Sequence, residues 1–211
     1  MSNDSKRRKP TGRTGPIKMG PDGVSRQLVQ FPKTKAEIEL FIAKGFCAGN
    51  SGMKPQIKRY GRFTELQPQR ENSLDFQVET QMGPRWLELA EFAPLEKFDG
   101  RYENVSGQWQ MEEMGRLFLG LIQKKNEKNY GKGVILVIYK THETLFVPPP
   151  VIRSVNAQLA NLQPTFEAIY FLSPHDQEAA SAWEVWPGDP NDKGPIVHGG
   201  NLQVGFGDSI E

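Results

Sequence analysis

Cysteine is almost missing: Cys47 stands alone among 211 residues, which excludes an internal disulfide and any zinc site built from several cysteines. Long hydrophobic runs are missing too. The longest wholly apolar stretch, Val134 to Tyr139, is six residues, against the roughly 20 that a membrane-spanning helix needs. Met1 to Pro10 is polar and has no apolar core of a secretory signal. These shortages lead to the expectation of a soluble, cytoplasmic protein with one domain.

Several catalytic signatures are also absent. No G-x-x-x-x-G-K-[ST] occurs, and no G-x-G-x-x-G follows a strand, so nucleotide phosphate loops are unsupported. His142, His175 and His198 are scattered, and His142-Glu143 lacks the second histidine of a zinc-protease helix. Ser51 and Ser106 lack the G-x-S-x-G elbow. Cys47 falls on a predicted helix and reads as a small apolar filler.

What is present is unevenly distributed. The net charge is +1, yet residues 1–60 hold 13 Lys/Arg against 4 Asp/Glu, whereas residues 61–211 hold 13 against 21. Lys6, Arg7, Arg8, Lys9, Arg13 and Lys18 oppose only Asp4 in the first twenty residues. A basic arm of this kind binds phosphate by counterion release, without sequence readout. It serves equally as a solvated tail.

Composition divides the chain into a basic, disordered arm over 1–32, an α/β domain over 33–186, and a Gly/Pro-rich tail over 187–211. Thr34 is a candidate N-cap for a helix carrying Ile38, Phe41, Ile42 and Phe46. An irregular strand follows near Tyr60 to Leu66. Leu74 to Glu79 alternates strictly, with Leu74, Phe76 and Val78 on one face. Trp86 to Phe92 alternates as well, and the four residues Gln81 to Pro84 join the two runs into an antiparallel hairpin. A helical pattern runs from Val105 to Lys128, with Met114, Leu117, Phe118, Leu121 and Ile122 in one stripe. Lys124, Lys125 and Lys128 suit the negative end of its dipole. Val134 to Tyr139 reads as a strand buried on both faces, parallel to the one before the helix. A short helix to Asn161, a strand over Phe166 to Leu172 and a last helix from Ser173-Pro174 to Trp186 complete the pattern. The predicted fold is therefore α/β, a mixed central sheet of about five strands flanked by helices in the order α-β-β-β-α-β-α-β-α.

Two hairpin carboxylates carry the chemical interest. If Leu74, Phe76 and Val78 share a core face with Leu87 and Leu89, then Asp75 and Glu88 share the other. They are then directly opposed, with β-carbons ~5 Å apart, or diagonal at ~7 Å. Either spacing lets two carboxylates converge on Mg²⁺, which takes one or two carboxylates with water and substrate phosphate. The Leu89 carbonyl is a further candidate oxygen. A solvated hairpin face explains the acids too, but Trp86, Ala90 and Phe92 lie on the same side as Glu88, so that side is not simply wet.

Ser73-Leu74-Asp75-Phe76 followed by Trp86-Leu87-Glu88-Leu89-Ala90 resembles the PD-(D/E)xK, or restriction-endonuclease-like, nucleases over about residues 33–172. The resemblance implies that core fold and a Mg²⁺ or Mn²⁺ cofactor held by Asp75 and Glu88. It also implies hydrolysis of phosphodiester bonds in DNA or RNA, DNA being favoured. The family's lysine position is occupied here by Ala90. Either another cation reaches the site, with Lys140 and Arg116 as candidates, or the domain has lost cleavage and binds nucleic acid or a partner protein. Gln110 lies about 40° from Met114 on the helical wheel and partly matches a glutamine of some relatives, making it a further catalytic candidate. Glu37, ahead of Glu39, is the candidate third metal acid. Lys6, Arg7, Arg8, Lys9 and Arg13 are the candidate nucleic-acid contacts, and a homodimer is compatible with this reading. A last possibility is an unrelated adaptor using an exposed Trp183/Trp186 cluster.

Overall fold

The computed structural model describes residues 13–14, 17–20, 23–26, 29–69, 74–105, 110–175, 179–188 and 196–198. Four short strands, β1 (Arg13–Thr14), β2 (Ile17–Gly20), β3 (Gly23–Arg26) and β4 (Val29–Gln30), make two separate two-stranded ladders. The stretch expected to be a disordered arm thus contains paired backbone. Lys6, Arg7, Arg8 and Lys9 lie outside the described residues.

Helix α1 (Lys35–Ser51) starts where its cap predicts. The Thr34 hydroxyl accepts from the Glu37 backbone N–H, and the Glu37 carboxylate accepts from the Thr34 backbone, a reciprocal capping box. Three antiparallel strands follow: β5 (Phe63–Pro68), β6 (Phe76–Thr80) and β7 (Gly83–Glu91). Helix α2 (Met111–Asn126) then crosses to β8 (Val134–Tyr139), which pairs parallel with β7. Helix α3 (Pro149–Leu162) leads to β9 (Ala168–Pro174), again parallel to β8.

Every residue of β8 is buried because it is central in the sheet and covered on both faces. On one face α1 packs Ile38, Phe41, Ile42 and Phe46 onto Phe76, Leu87, Leu89 and Tyr170. On the other, Met114, Phe118 and Ile122 of α2 and Val151, Ile152, Val155 and Leu159 of α3 cover Ala90, Leu136, Ile138 and Phe171. The predicted order α-β-β-β-α-β is present from α1 to β8, and the architecture is a mixed α/β sandwich.

Three features differ from the sequence expectation. The long helix begins at Met111, not Val105, because Tyr102–Asn104 is a 3-10 turn and Val105 is extended; Ser106-Gly107 is a helix-breaking pair in sequence. The last predicted helix is instead β10 (Ala180–Trp186), antiparallel to β9. Ser173-Pro174 ends β9 and caps nothing. β10 is masked in sequence because both its faces are covered: Ala180 and Ala182 lie under α1, Trp183 and Val185 on the α3 side. Finally β11 (Ile196–His198), within the stretch read as a tail, pairs with β10 and makes the sheet seven-stranded in the order β11-β10-β9-β8-β7-β6-β5. No helix among the described residues is long and apolar enough to cross a membrane.

Candidate functional site

The β6–β7 register sets Phe76 opposite Leu87 and Gln77 opposite Trp86. Asp75 immediately precedes the first paired residue of β6. Leu74 packs on the α2 side with Ala90 and Phe92, not with Phe76 and Val78 as the strict alternation predicted, because the ladder stops at Phe76. β6 begins at Phe76, so beyond Leu87 the edge of β7 that faces β6 has no partner strand among the described residues. Its backbone groups need other partners. The Leu89 N–H donates to Asp75 Oδ2 at 2.7 Å, and the Leu89 carbonyl accepts from Lys125 Nζ at 3.3 Å.

Glu88 is only 5% exposed and lies on the α2 side of the sheet with Ala90 and Phe92. A carboxylate there requires a donor or counter-charge. It receives two: Lys125 Nζ donates to Glu88 Oε1 at 2.6 Å, and the Tyr130 hydroxyl donates to the same oxygen at 2.7 Å. Burial and the hydrogen bond to Glu88 push the Tyr130 phenol far up, so it stays a donor. Asp75 is also raised above the ordinary carboxylate value. Burial is the main cause, opposed by the Leu89 N–H; the charges of Glu88 and Glu39 raise it further and Lys125 lowers it.

That shift has a sign for stability. From 3.8, the ordinary value, up to the raised one, the folded chain holds a proton that the unfolded chain has released, so stability falls as pH rises through the window. Asp75→Asn keeps an oxygen for the Leu89 N–H and removes the charge. It is expected to melt a few degrees above wild type at neutral pH, with the gap closing as pH is lowered through the window. Thermal unfolding at a series of pH values checks this, and a gap constant with pH would contradict it.

A cleft of about 600 Å³ opens beside the pair, lined by Lys35 and Glu39 of α1, Leu89 to Glu91 of β7, Tyr102, and Leu121 and Lys125 of α2. Glu91 accepts hydrogen bonds from the Tyr102 and Thr141 hydroxyls. Glu39 also pairs with Lys35 at 3.2 Å. Among the described residues no group of three or more His, Cys, Asp or Glu side chains is placed to hold a metal ion. Asp75, Glu88 and Leu89 thus offer two carboxylates and one backbone carbonyl at this edge.

The other sequence candidates fall elsewhere. Glu37 is fully exposed and engaged in the α1 capping box, and the acid that α1 sends into the cleft is Glu39. Gln110 is exposed at the start of α2, 15 residues and about 22 Å of helix from Lys125. Lys140 is buried, but the parallel register aligns Glu88 with Leu136, so Lys140 lies four residues, ~13 Å, beyond Glu88 along the sheet. Arg116 is exposed on α2. Cys47 is buried and its thiol is pushed up to about 12 by that burial, which fits the filler role. Trp183 is buried against Phe146 and Phe171, so Trp183 and Trp186 are not the exposed pair expected for an adaptor.

Lys125 and Tyr130 are the partners of Glu88 that sequence reasoning missed. A signal for Lys125 existed. Eleven residues after Met114 it returns to about 20° from it on the helical wheel, a lysine on the stripe that faces the sheet.

No family model matches the chain, and no curated protein matches it. Among solved structures, the Pyrococcus furiosus SfsA in complex with Ca2+ is similar over 58% of this chain and 53% of its own, at 12% identity and a TM-score of 0.23. The match spans about half the length of SfsA. So little superposable backbone assigns nothing, and the α/β architecture rests on the topology above.

Proposed function

We propose that this protein is a divalent-metal-dependent nuclease that hydrolyses phosphodiester bonds in DNA or RNA at the β6–β7 edge. The observation that supports it most is the convergence of Asp75, Glu88 and the Leu89 carbonyl with a lysine delivered from α2. All three oxygen donors are hard ligands of the type Mg²⁺ or Mn²⁺ takes alongside water and phosphate. An ammonium already sits on two of these groups, which fits a place built for positive charge. When bound, such an ion lowers the pKa of an attacking water and offsets charge on the scissile phosphate.

The chain's own residues do the remainder. Asp75 and Glu88 are the ion's anchors, each pre-oriented by a hydrogen bond from another element. Lys125 supplies from α2 the cation that Ala90 cannot supply from β7. Tyr130 holds the Glu88 carboxylate in place. Lys35 adds positive charge at the mouth of the cleft, and the basic arm of Lys6, Arg7, Arg8, Lys9 and Arg13 grips backbone phosphate without reading sequence.

The test is nicking of supercoiled plasmid and cleavage of single-stranded RNA with Mg²⁺ or Mn²⁺. Cleavage of at least one is expected, abolished by chelator and by Asp75→Asn. Salt-sensitive binding with no cleavage of either would replace this reading by an inactive nucleic-acid-binding domain. Activity surviving in Asp75→Asn would move the chemistry away from this edge.

A further inference from the structure

Lys125 does more at this site than a charge held at a distance would. Its Nζ lies 2.6 Å from Glu88 Oε1 and 3.3 Å from the Leu89 carbonyl. Both oxygens belong to the donor set assigned above to the divalent ion. Two cations cannot share them closely, because like charges at such separations repel strongly in a partly buried setting. We propose that Lys125 is a built-in competitor for the metal position, its ammonium and the divalent ion binding alternately to Glu88 and Leu89. The inference rests on the metal-dependent reading and deepens it: it makes metal loading a displacement.

The surroundings suit an exchange of this kind. Glu88 is almost fully buried, and a bare carboxylate there is unfavourable, so a resident cation keeps the site formed. The Lys125 side chain is 22% exposed, against 6% for Glu88, so the ammonium is the partner with a route to water. It rides on a flexible four-carbon stem at the end of α2 and leaves without backbone movement. Tyr130 donates to Glu88 from outside the helix and keeps the carboxylate oriented as the lysine departs. Asp75 is fixed separately by the Leu89 N–H and need not move. The released ammonium stays within one side-chain length of the cleft, where substrate phosphate would lie. Metal binding and the freeing of the lysine are then one event.

Calorimetric titration of the full chain with Mn²⁺ alone tests this. Lys125→Met is expected to bind Mn²⁺ at least about tenfold more tightly than wild type, the value of one charge-assisted hydrogen bond, while cleaving more slowly. Asp75→Asn should lose the binding in either background. Equal or weaker affinity in Lys125→Met, with Asp75→Asn still abolishing binding, would overturn the competition and leave the nuclease reading standing. No Mn²⁺ binding in wild type or Lys125→Met would overturn both. If Lys125→Met does not fold, wild type alone decides. The Lys125 ammonium, seen by nitrogen-15 NMR, should exchange its protons faster once diamagnetic Mg²⁺ is saturating. Unchanged exchange at saturation would refute the displacement.

Discussion

Under the proposed nuclease reading, replacing Glu88 with glutamine is expected to slow phosphodiester cleavage by on the order of 10²–10³-fold, the scale of loss when one preorganised electrostatic group such as an oxyanion-hole donor is removed. The side chain keeps its shape and an oxygen that accepts from Tyr130, so the loss is one of charge. Stability should suffer less. Breaking a buried ion pair costs about 3–5 kcal/mol when the surviving charge is trapped, but Lys125 has its exit to water. Glu88→Gln should therefore lie below that range in urea denaturation. Glu88→Ala should be worse in stability and no worse in rate, because it also leaves Tyr130 without an acceptor. The two measurements separate roles. A rate loss that tracks the stability loss would make Glu88 a structural carboxylate, and a rate loss in a well-folded Glu88→Gln keeps it in the chemistry. Raising the Mg²⁺ concentration should recover part of the rate if the deficit is one of ion affinity.

Elements whose signal is local were legible in the sequence. The Thr34–Glu37 cap placed the start of α1, the alternation around Asp75 and Glu88 placed the hairpin, and the apolar run placed β8 between its true ends. The parity held for Phe76 and Val78 but not for Leu74, which packs on the α2 side where the β6–β7 ladder has ended. What was not legible depends on partners distant in sequence. β10 lacks alternation because helices cover both its faces, and its alanines imitate a helix former. Lys125 meets Glu88 across 37 residues, so its place near the helix end was explained by the dipole alone. Glu37 and Glu39 differ only in which way a helix turn faces, and the capping box, legible as it was, uses the first and leaves the second for the cleft. Of the side chains proposed for the site, those on the hairpin were named from sequence, and the lysine that α2 brings to Glu88 was not.

That helix makes the second large effect predictable. Phe118 is fully buried on α2, edge-on to Phe92 at 5.4 Å and to Phe171 at 5.7 Å. Phe118→Ala is expected to cost about 3–5 kcal/mol, from the lost transfer energy and the cavity left between α2 and the sheet. In urea the midpoint should fall with little change in slope. The functional consequence follows from position. Phe118 lies two turns before Lys125, about 10 Å along the same helix, and its packing seats the end of α2 over Glu88. Phe118→Leu keeps most of the volume and should cost under about 1.5 kcal/mol, with cleavage near wild type. In Phe118→Ala, assayed where the chain is still mostly folded, cleavage should fall further than the folded fraction does, because Lys125 and Tyr130 are carried by the loosened segment while Asp75 and Glu88 are not. Activity falling only in proportion to folded protein would mean that α2 need not be held tightly for its lysine to act.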